Sequence, residues 1–183
     1  IGLGGALRFL CAPNVDLLST KRETATPETE PKPPNNNATI AGANYQNPTD
    51  LNKAETPENA NPIEIDGAIL RVDRNEDHWL TEGLPANLYV MYQGSDIYRP
   101  LARNAGANPL VFAPRENLVA SGVVWAPNQA QLALKPFAMV QPKGRGFVIG
   151  FDADLTYRAH TQGLNALLLN AIVQSTARAN PVR

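Results

Sequence analysis

Short apolar runs separated by turn residues fill the second two-thirds of the chain, and this pattern predicts six strands. The runs are GAILRV, NLYVMY, PLVFA, SGVVW, PFAMV and GFVIGF, at residues 67–72, 87–92, 109–113, 121–125, 136–140 and 146–151. Strands that follow one another without intervening helices predict antiparallel pairing. The last run is the most hydrophobic and follows the turn Gly144-Arg145-Gly146. We therefore expect it to be a central strand, paired on both sides.

Residues 161–177 have the spacing of an amphipathic helix. Apolar and small residues recur every three or four positions, at Leu164, Leu167, Leu168, Ala171, Ile172 and Ser175. Thr161 precedes them as a candidate N-cap, and Arg178 suits the negative end of the helix dipole. A one-sided apolar stripe predicts that the helix lies on the sheet and ends before Asn180-Pro181. The fold class is therefore α/β, with helices flanking a sheet.

The first twenty residues predict one β-α step. GGALRFL is typical of a Gly-Gly turn followed by a short buried strand at residues 6–10. VDLLSTKR, at residues 15–22, then predicts the start of a short helix with apolar Val15, Leu17 and Leu18.

Residues 21–62 interrupt this pattern with seven prolines, eight asparagines and a single aromatic residue, Tyr45. A segment with so few apolar residues buries too little surface to offset the conformational entropy that ordering would cost. We therefore expect a mobile loop or insertion. It separates a first β-α piece at 1–20 from a main body at 63–183. The loop is either a passive surface insertion or a lid over a cleft.

The composition fits one globular domain and excludes several classes of protein. The 183 residues are 43% hydrophobic and 18% charged, which suits a single core. Sixteen Lys and Arg balance seventeen Asp and Glu, so the chain lacks the basic surface of a nucleic-acid-binding protein. No apolar run approaches the roughly 20 residues of a membrane span. One cysteine and two histidines cannot form an internal disulfide or a structural zinc site.

Four stretches, taken in order, resemble one family. They are GGALRFL, IDGAILRVDRNEDHWLTEGLP (residues 65–85), QPKGRGFVIGFDADLTYRAHTQG (141–163) and LNALLLNAI (164–172). Together they resemble the class I glutamine-amidotransferase-like domain at the C-terminus of certain zinc carboxypeptidases. The similarity covers about 110 residues in scattered blocks, and it rests on the order and spacing of the blocks.

This resemblance implies a flavodoxin-like sheet with flanking helices and an antiparallel β extension. It also implies that the domain is incomplete at its N-terminus, and the opening Ile1 suggests a fragment or a processed product. The zinc cofactor would lie in an upstream peptidase domain of the same polypeptide, because neither His78 nor His160 belongs to a His-x-x-Glu pair. We expect no cofactor in this chain itself. The parent protein would be exported, periplasmic or extracellular.

Cys11 and His160 are the candidate catalytic residues. Cys11 follows the predicted strand 6–10, where amidotransferase-like folds place a nucleophile on a sharp elbow. Leu10 and Ala12-Pro13 flank it, however, whereas an elbow needs small residues on both sides. The histidine partner of such a cysteine would lie near residues 151–154, but these four residues include no histidine. His160 is the nearest substitute. His78 is interpreted as a solvated or hydrogen-bonded loop residue.

Asp152 and Asp154 are the candidate metal ligands, because they alternate at the end of a strand and point to one face. Two carboxylates are too few for a metal without a third oxygen ligand nearby. We expect instead that they cap the start of a helix and form an ion pair with Arg158.

Three functions stay open at this point. The first is a non-catalytic accessory domain of a zinc-carboxypeptidase-like exported protein, and in this case the chain alone is not an enzyme. The second is a small amidotransferase-like hydrolase that uses Cys11. The third is a free-standing ligand- or protein-binding module with a cleft at the strand ends. The expected partners are the upstream peptidase domain and a second copy of the chain, with neither nucleic acid nor a membrane span.

Overall fold

A seven-stranded mixed sheet organises the protein in the computed structural model, which describes residues 1–23, 64–159 and 161–179. The strand order is β1-β9-β8-β6-β3-β4, with β7 also paired to β3, and β2 and β5 form a separate two-stranded sheet. The strands are β1 Gly2–Leu3, β2 Arg22–Glu23, β3 Ile65–Arg74, β4 Asn87–Gly94, β5 Ile97–Tyr98, β6 Ala107–Phe112, β7 Val119–Gly122, β8 Pro136–Lys143 and β9 Gly146–Phe151. The helices are α1 Ala6–Leu10, α2 Ala126–Leu132 and α3 Gln162–Arg178.

The large sheet is antiparallel except at one edge, where β1 runs parallel to β9. Each of the six predicted strands has a counterpart, and residues 146–151 form β9 with the predicted bounds. As expected, β9 is paired on both sides, by β1 and by β8. The two-residue loop Gly144–Arg145 makes the β8–β9 hairpin, because Gly144 supplies the positive φ (59°) that such a turn needs. The α/β class with flanking helices is thus confirmed, in a mostly antiparallel form.

Alternation along β8 and β9 gives the sheet two apolar faces. Val140, Ile149 and Phe151 point into the main core, which α3 helps to cover. Met139 points to the opposite face, where Leu7 of α1 belongs to a second core with Leu18, Tyr98 and Leu101. The sheet is therefore covered by helix on both faces near its β1–β9 edge.

The predicted strand at residues 6–10 is wrong, because these residues form α1. The strand is the shorter Gly2–Leu3 before it, and the chain turns at Gly4, whose φ is +50°. The helix predicted at 15–22 is also wrong. Residues 13–18 form turns and bends that place Leu18 in the second core, and Arg22 begins β2.

The strand predicted at 121–125 ends early, at Gly122 in β7. Trp125 instead stands as the N-cap residue of α2, whose first turn contains a proline. Pro127 ends the strand pattern because it fixes φ for a helix start and provides no N–H for a ladder.

The helix α3 matches its prediction within one residue at each end. Leu164, Leu167 and Ala171 are buried against the sheet, as expected. The predicted one-sided stripe is wrong, however: Leu169, Ile172 and Val173 are exposed by 59%, 49% and 59%. The hydroxyl of Thr161 also makes no capping hydrogen bond. The outer face of α3 is thus apolar as well as its inner one.

Residues 24–62, which are most of the predicted insertion, lie outside the described residues, as do residue 63, His160 and residues 180–183. Glu23, just before that gap, accepts hydrogen bonds from Arg99 Nε at 3.0 Å and from Lys135 Nζ at 2.5 Å. These contacts fasten β2 to the body of the domain. None of the helices in the described ranges is long and apolar enough to cross a membrane.

Candidate functional site

The carboxyl ends of β1 and β9 open into a cleft, which we call the strand-end cleft. Leu3 pairs with Phe151, and because the two strands are parallel, the residues after them emerge at the same edge of the sheet. Gly4 and Gly5 follow β1, and residues 152–154 follow β9. The cleft has a volume of about 390 Å³ and is also lined by residues 91–94, Arg8, Asp96 and Tyr157. This volume suits a small organic ligand.

The Gly4-Gly5 turn keeps the cleft open. The Gly4 N–H donates to the Phe151 carbonyl at 2.9 Å, and the Gly4 carbonyl accepts from the Leu7 N–H at 2.9 Å. These bonds end β1 and start α1 within two residues. A Cβ on Gly5 would meet no atom within 4 Å. The glycines therefore leave free space beside Asp152 and its neighbours.

Asp152 is buried without a partner. The residue is only 5% exposed, and neither carboxylate oxygen has a hydrogen-bond partner in the described part of the chain. Its backbone N–H donates to the Phe137 carbonyl at 2.9 Å, which fixes the residue at the end of β9. Burial, with a smaller contribution from the negative charge of Asp96, holds the pKa of Asp152 well above its ordinary value. A buried carboxyl that lacks partners is costly and marks a candidate binding group.

Asp154 stands on the rim and is exposed. Its Oδ1 accepts hydrogen bonds from the N–H and the hydroxyl of Thr156, both at 2.9 Å. These bonds form a turn ahead of α3, whose N-cap residue is Thr161, so the expected capping of a helix start is not among the described contacts. The expected ion pair of Asp152 or Asp154 with Arg158 is absent among the described contacts. The Arg158 guanidinium lies instead 5.4 Å from the centre of the Tyr157 ring.

Asp96 is the third carboxylate of the cleft, and two arginines neutralise it. The Nε of Arg8 lies 2.7 Å from its Oδ2, and the Nε of Arg22 lies 2.6 Å from its Oδ1. The Tyr92 hydroxyl donates to the backbone carbonyl of Asp96. With Asp96 occupied in this way, only Asp152 and Asp154 have carboxylate oxygens to offer a ligand.

Cys11 does not have the position of a nucleophile. It lies at the C-terminal end of α1, away from the Gly4-Gly5 turn, and it packs against the second core. Its thiol donates to the Arg8 carbonyl at 3.5 Å, and burial raises its pKa, which disfavours the reactive thiolate. The strand-to-helix elbow that the sequence suggested at Cys11 is formed instead by Gly4-Gly5. The other catalytic candidate, His160, falls outside the described residues.

His78 lies on a separate shallow groove of about 540 Å³, beside Trp79, Arg74 and Arg178. Its Nδ1 accepts the Leu80 N–H at 3.1 Å and so caps a 3-10 helix at Trp79–Thr81. Burial lowers the pKa of His78, which favours the neutral ring that this hydrogen bond requires. His78 is thus a hydrogen-bonded loop residue, as predicted.

A metal site is not built at Asp152 and Asp154. In residues 1–23, 64–159 and 161–179, no group of three or more His, Cys, Asp or Glu side chains could hold an ion. The carboxylate closest in position, Asp96, is held by arginines. Asp152 and Asp154 therefore have no third free carboxylate beside them among the described residues of the cleft.

Sequence reasoning named Asp152 but missed its burial. The available signal was the run GFVIGF, which continues into Asp152 without a turn residue. An aspartate that directly extends a buried strand is carried into the interior unless the chain bends first.

No family model, no curated protein and no solved structure matches this chain. The resemblance to the amidotransferase-like domain therefore has no support from these comparisons and stays a prediction.

Proposed function

We propose that this chain is a non-catalytic α/β domain that binds a small ligand in the strand-end cleft. One observation carries the proposal: Asp152 lines the cleft, is nearly fully buried, and has no hydrogen-bond partner for either oxygen among the described residues. A buried carboxyl without hydrogen-bond partners lowers the stability of the fold. Such groups are found at functional sites, where a bound ligand supplies the missing partners.

The same geometry argues against hydrolysis. The residues at the strand-to-helix elbow are Gly4 and Gly5, which carry no nucleophile, and the pKa of Cys11 is raised rather than lowered. The cleft offers carboxyl, hydroxyl and amide groups, which recognise a ligand without attacking it.

A fragment screen observed by ¹H–¹⁵N NMR tests the proposal. We expect some polar fragments to shift the amide signals of Gly4, Gly94 and Ala153 in a saturable way while leaving Gly146, at the far end of β9, unchanged. Gly5→Leu should weaken these shifts, because Gly5 lines the cleft and its backbone leaves room for a side chain that would compete with the ligand. Gly146→Leu, also in open space, is the matched control. A screen in which no fragment shifts the cleft amides would refute ligand binding.

The accessory role beside a zinc carboxypeptidase is a second proposal, which a different observation favours. The outer face of α3 exposes Leu169, Ile172 and Val173, and residues 162–177 contain no charged side chain. An apolar helix face of this kind is typical of a surface that another domain or subunit covers. An upstream peptidase domain of an exported protein is the partner that the sequence resemblance implies.

The flavodoxin-like fold belongs to this second proposal. Its support is the parallel β1–β9 pair with α1 and α3 on opposite faces, which is the arrangement of one edge of a doubly wound sheet. Further parallel strands would extend the sheet beyond β1, and the antiparallel strands β8, β6, β3 and β4 would form the extension.

A further inference from the structure

The charges of the strand-end cleft restrict the class of ligand. The cleft contains one cationic side chain, Arg8, and Asp96 already pairs with it at 2.7 Å. Arg22 makes a second pair with the same carboxylate. The carboxylates of Asp152 and Asp154 have no cationic partner among the described ion pairs. An arriving ligand therefore meets a carboxyl group without a partner at Asp152 and an exposed carboxylate at Asp154.

An anionic ligand would be repelled by this arrangement. A neutral ligand could accept a hydrogen bond from protonated Asp152, but it would leave the rim carboxylate of Asp154 unused. A metal ion would lack ligands, as described above. An organic cation suits both side chains, because its N–H donors complement the Asp154 carboxylate and the carboxylate that Asp152 becomes when it loses its proton.

From this we infer that the strand-end cleft binds a small organic cation, whose ammonium or guanidinium group contacts Asp152 at the floor with Asp154 at the rim. The inference rests on the proposed ligand-binding function. Tyr157 also lines the cleft, and the Arg158 guanidinium 5.4 Å from the centre of its ring shows that this ring accepts a cationic neighbour. The volume of about 390 Å³ limits the ligand to a small molecule.

Binding is coupled to a proton. In the free protein the carboxyl of Asp152 favours its protonated form, because burial and Asp96 raise its pKa while Arg22 only partly opposes them. The Tyr92 and Tyr98 side chains also lie within electrostatic range of Asp152. When an ammonium group binds, Asp152 releases its proton to solvent and the carboxylate pairs with the cation. The affinity should therefore rise with pH, up to the raised pKa of Asp152.

Three probes with the same four-carbon chain test the charge class: n-butylammonium, n-butyrate and n-butanol. We expect n-butylammonium to shift the amides of Gly4, Gly94 and Ala153 at lower concentration than the other two. Asp152→Asn should weaken its binding about tenfold or more, because one charged partner is lost. Asp154→Asn, on the solvated rim, should weaken it less. Glu116→Gln, an exposed residue outside the cleft, is the control and should have no effect.

The outcomes separate this inference from the proposed function. If n-butyrate or n-butanol binds the cleft more tightly, or if Asp152→Asn binds n-butylammonium as well as the wild type does, the cation class is wrong and ligand binding stands. If n-butylammonium does not bind while other fragments do, the cation class is again wrong and ligand binding stands. If no probe or fragment shifts the cleft amides, both are wrong. Gly5→Leu keeps the test decisive should Asp152→Asn fail to fold, because it narrows the cleft with the carboxyl intact.

Discussion

The Nε atom of Arg8 lies 2.7 Å from Oδ2 of Asp96, an ion pair that joins α1 to the turn after β4. The Asp96 side chain is only 13% exposed, whereas that of Arg8 is 53% exposed. The arginine can turn to solvent if the pair is broken, but the carboxylate cannot. The two partners should therefore differ in what their removal costs.

We expect Asp96→Asn to lower the free energy of unfolding by about 1–2 kcal/mol, since it weakens contacts to both Arg8 and Arg22. Arg8→Ala should lower it less. Urea denaturation followed by circular dichroism measures both. Asp77→Asn is the control. The Asp77 side chain is fully exposed, and its ion pair with Arg74 is long, at 3.9 Å. Equal losses for Asp96→Asn and Asp77→Asn would contradict this prediction.

Asp152→Asn should stabilise the protein at neutral pH. The folded state raises the pKa of Asp152, so it binds a proton more tightly than the unfolded state does. Stability therefore falls as pH rises from the ordinary aspartate range, about 3.9, towards the raised pKa, and an amide removes that loss. Thermal melts between pH 4 and pH 8 should show a flatter pH dependence for the variant. A variant that melts lower than wild type at pH 7 would show that Asp152 has a compensating partner.

Cys11 should react slowly with iodoacetamide at pH 7, because burial raises its pKa and removes thiolate. The rate should increase by more than about tenfold in guanidinium chloride, where the thiol has an ordinary pKa near 8.5. Cys11→Ser should leave the NMR fragment binding unchanged, since Cys11 does not line the cleft. Fast alkylation of the folded chain would revive the hydrolase hypothesis.

Gly106→Ala should lower the free energy of unfolding by about 1–3 kcal/mol. A Cβ there would overlap the Val140 carbonyl oxygen of β8 and lie 2.9 Å from Leu101 Cδ1. Backbone must therefore move to admit it. Gly146→Ala is the matched control, because its Cβ would meet no atom within 4 Å. The two variants should be clearly different in a denaturant titration; similar midpoints would show that β6 and β8 separate easily at this point.

The outer face of α3 should drive association of the isolated chain. Leu169→Glu combined with Val173→Glu puts charges on this face without touching the buried Leu164, Leu167 and Ala171. We expect sedimentation velocity to show concentration-dependent association for the wild type and a monomer for the double variant. A wild type that stays monomeric at high concentration would remove the observation that favours an accessory role.

The sequence predicted the strands best where apolar alternation was long, as at residues 67–72 and 146–151. It failed at residues 6–10 because ALRFL suits either structure over so few residues, and the backbone turn at Gly4 decides between them. It failed at residues 15–22 because the burial of Leu18 against Met139 is a tertiary contact that no local pattern encodes.

The site was less predictable than the fold. Asp152 and Asp154 alternate in sequence, and equal roles were expected for them. The structure makes one a buried, unpartnered acid and the other an exposed turn residue. The Asp152 N–H bonds to the Phe137 carbonyl, and the neighbouring Phe151 carbonyl accepts from the Gly4 N–H, so the position of Asp152 depends on distant parts of the chain.

The pairing of β1 with β9 also has a consequence for how the protein folds. Gly2 pairs with Gly150, so the partner that β1 has among the described residues is synthesised long after β1 itself. The hairpins of the antiparallel strands can form earlier, since their contacts are closer in sequence. α1 has only five residues, too few to be stable alone, and must wait with β1. We therefore expect the strand-end cleft to form late in folding, when the N-terminal segment docks beside β9.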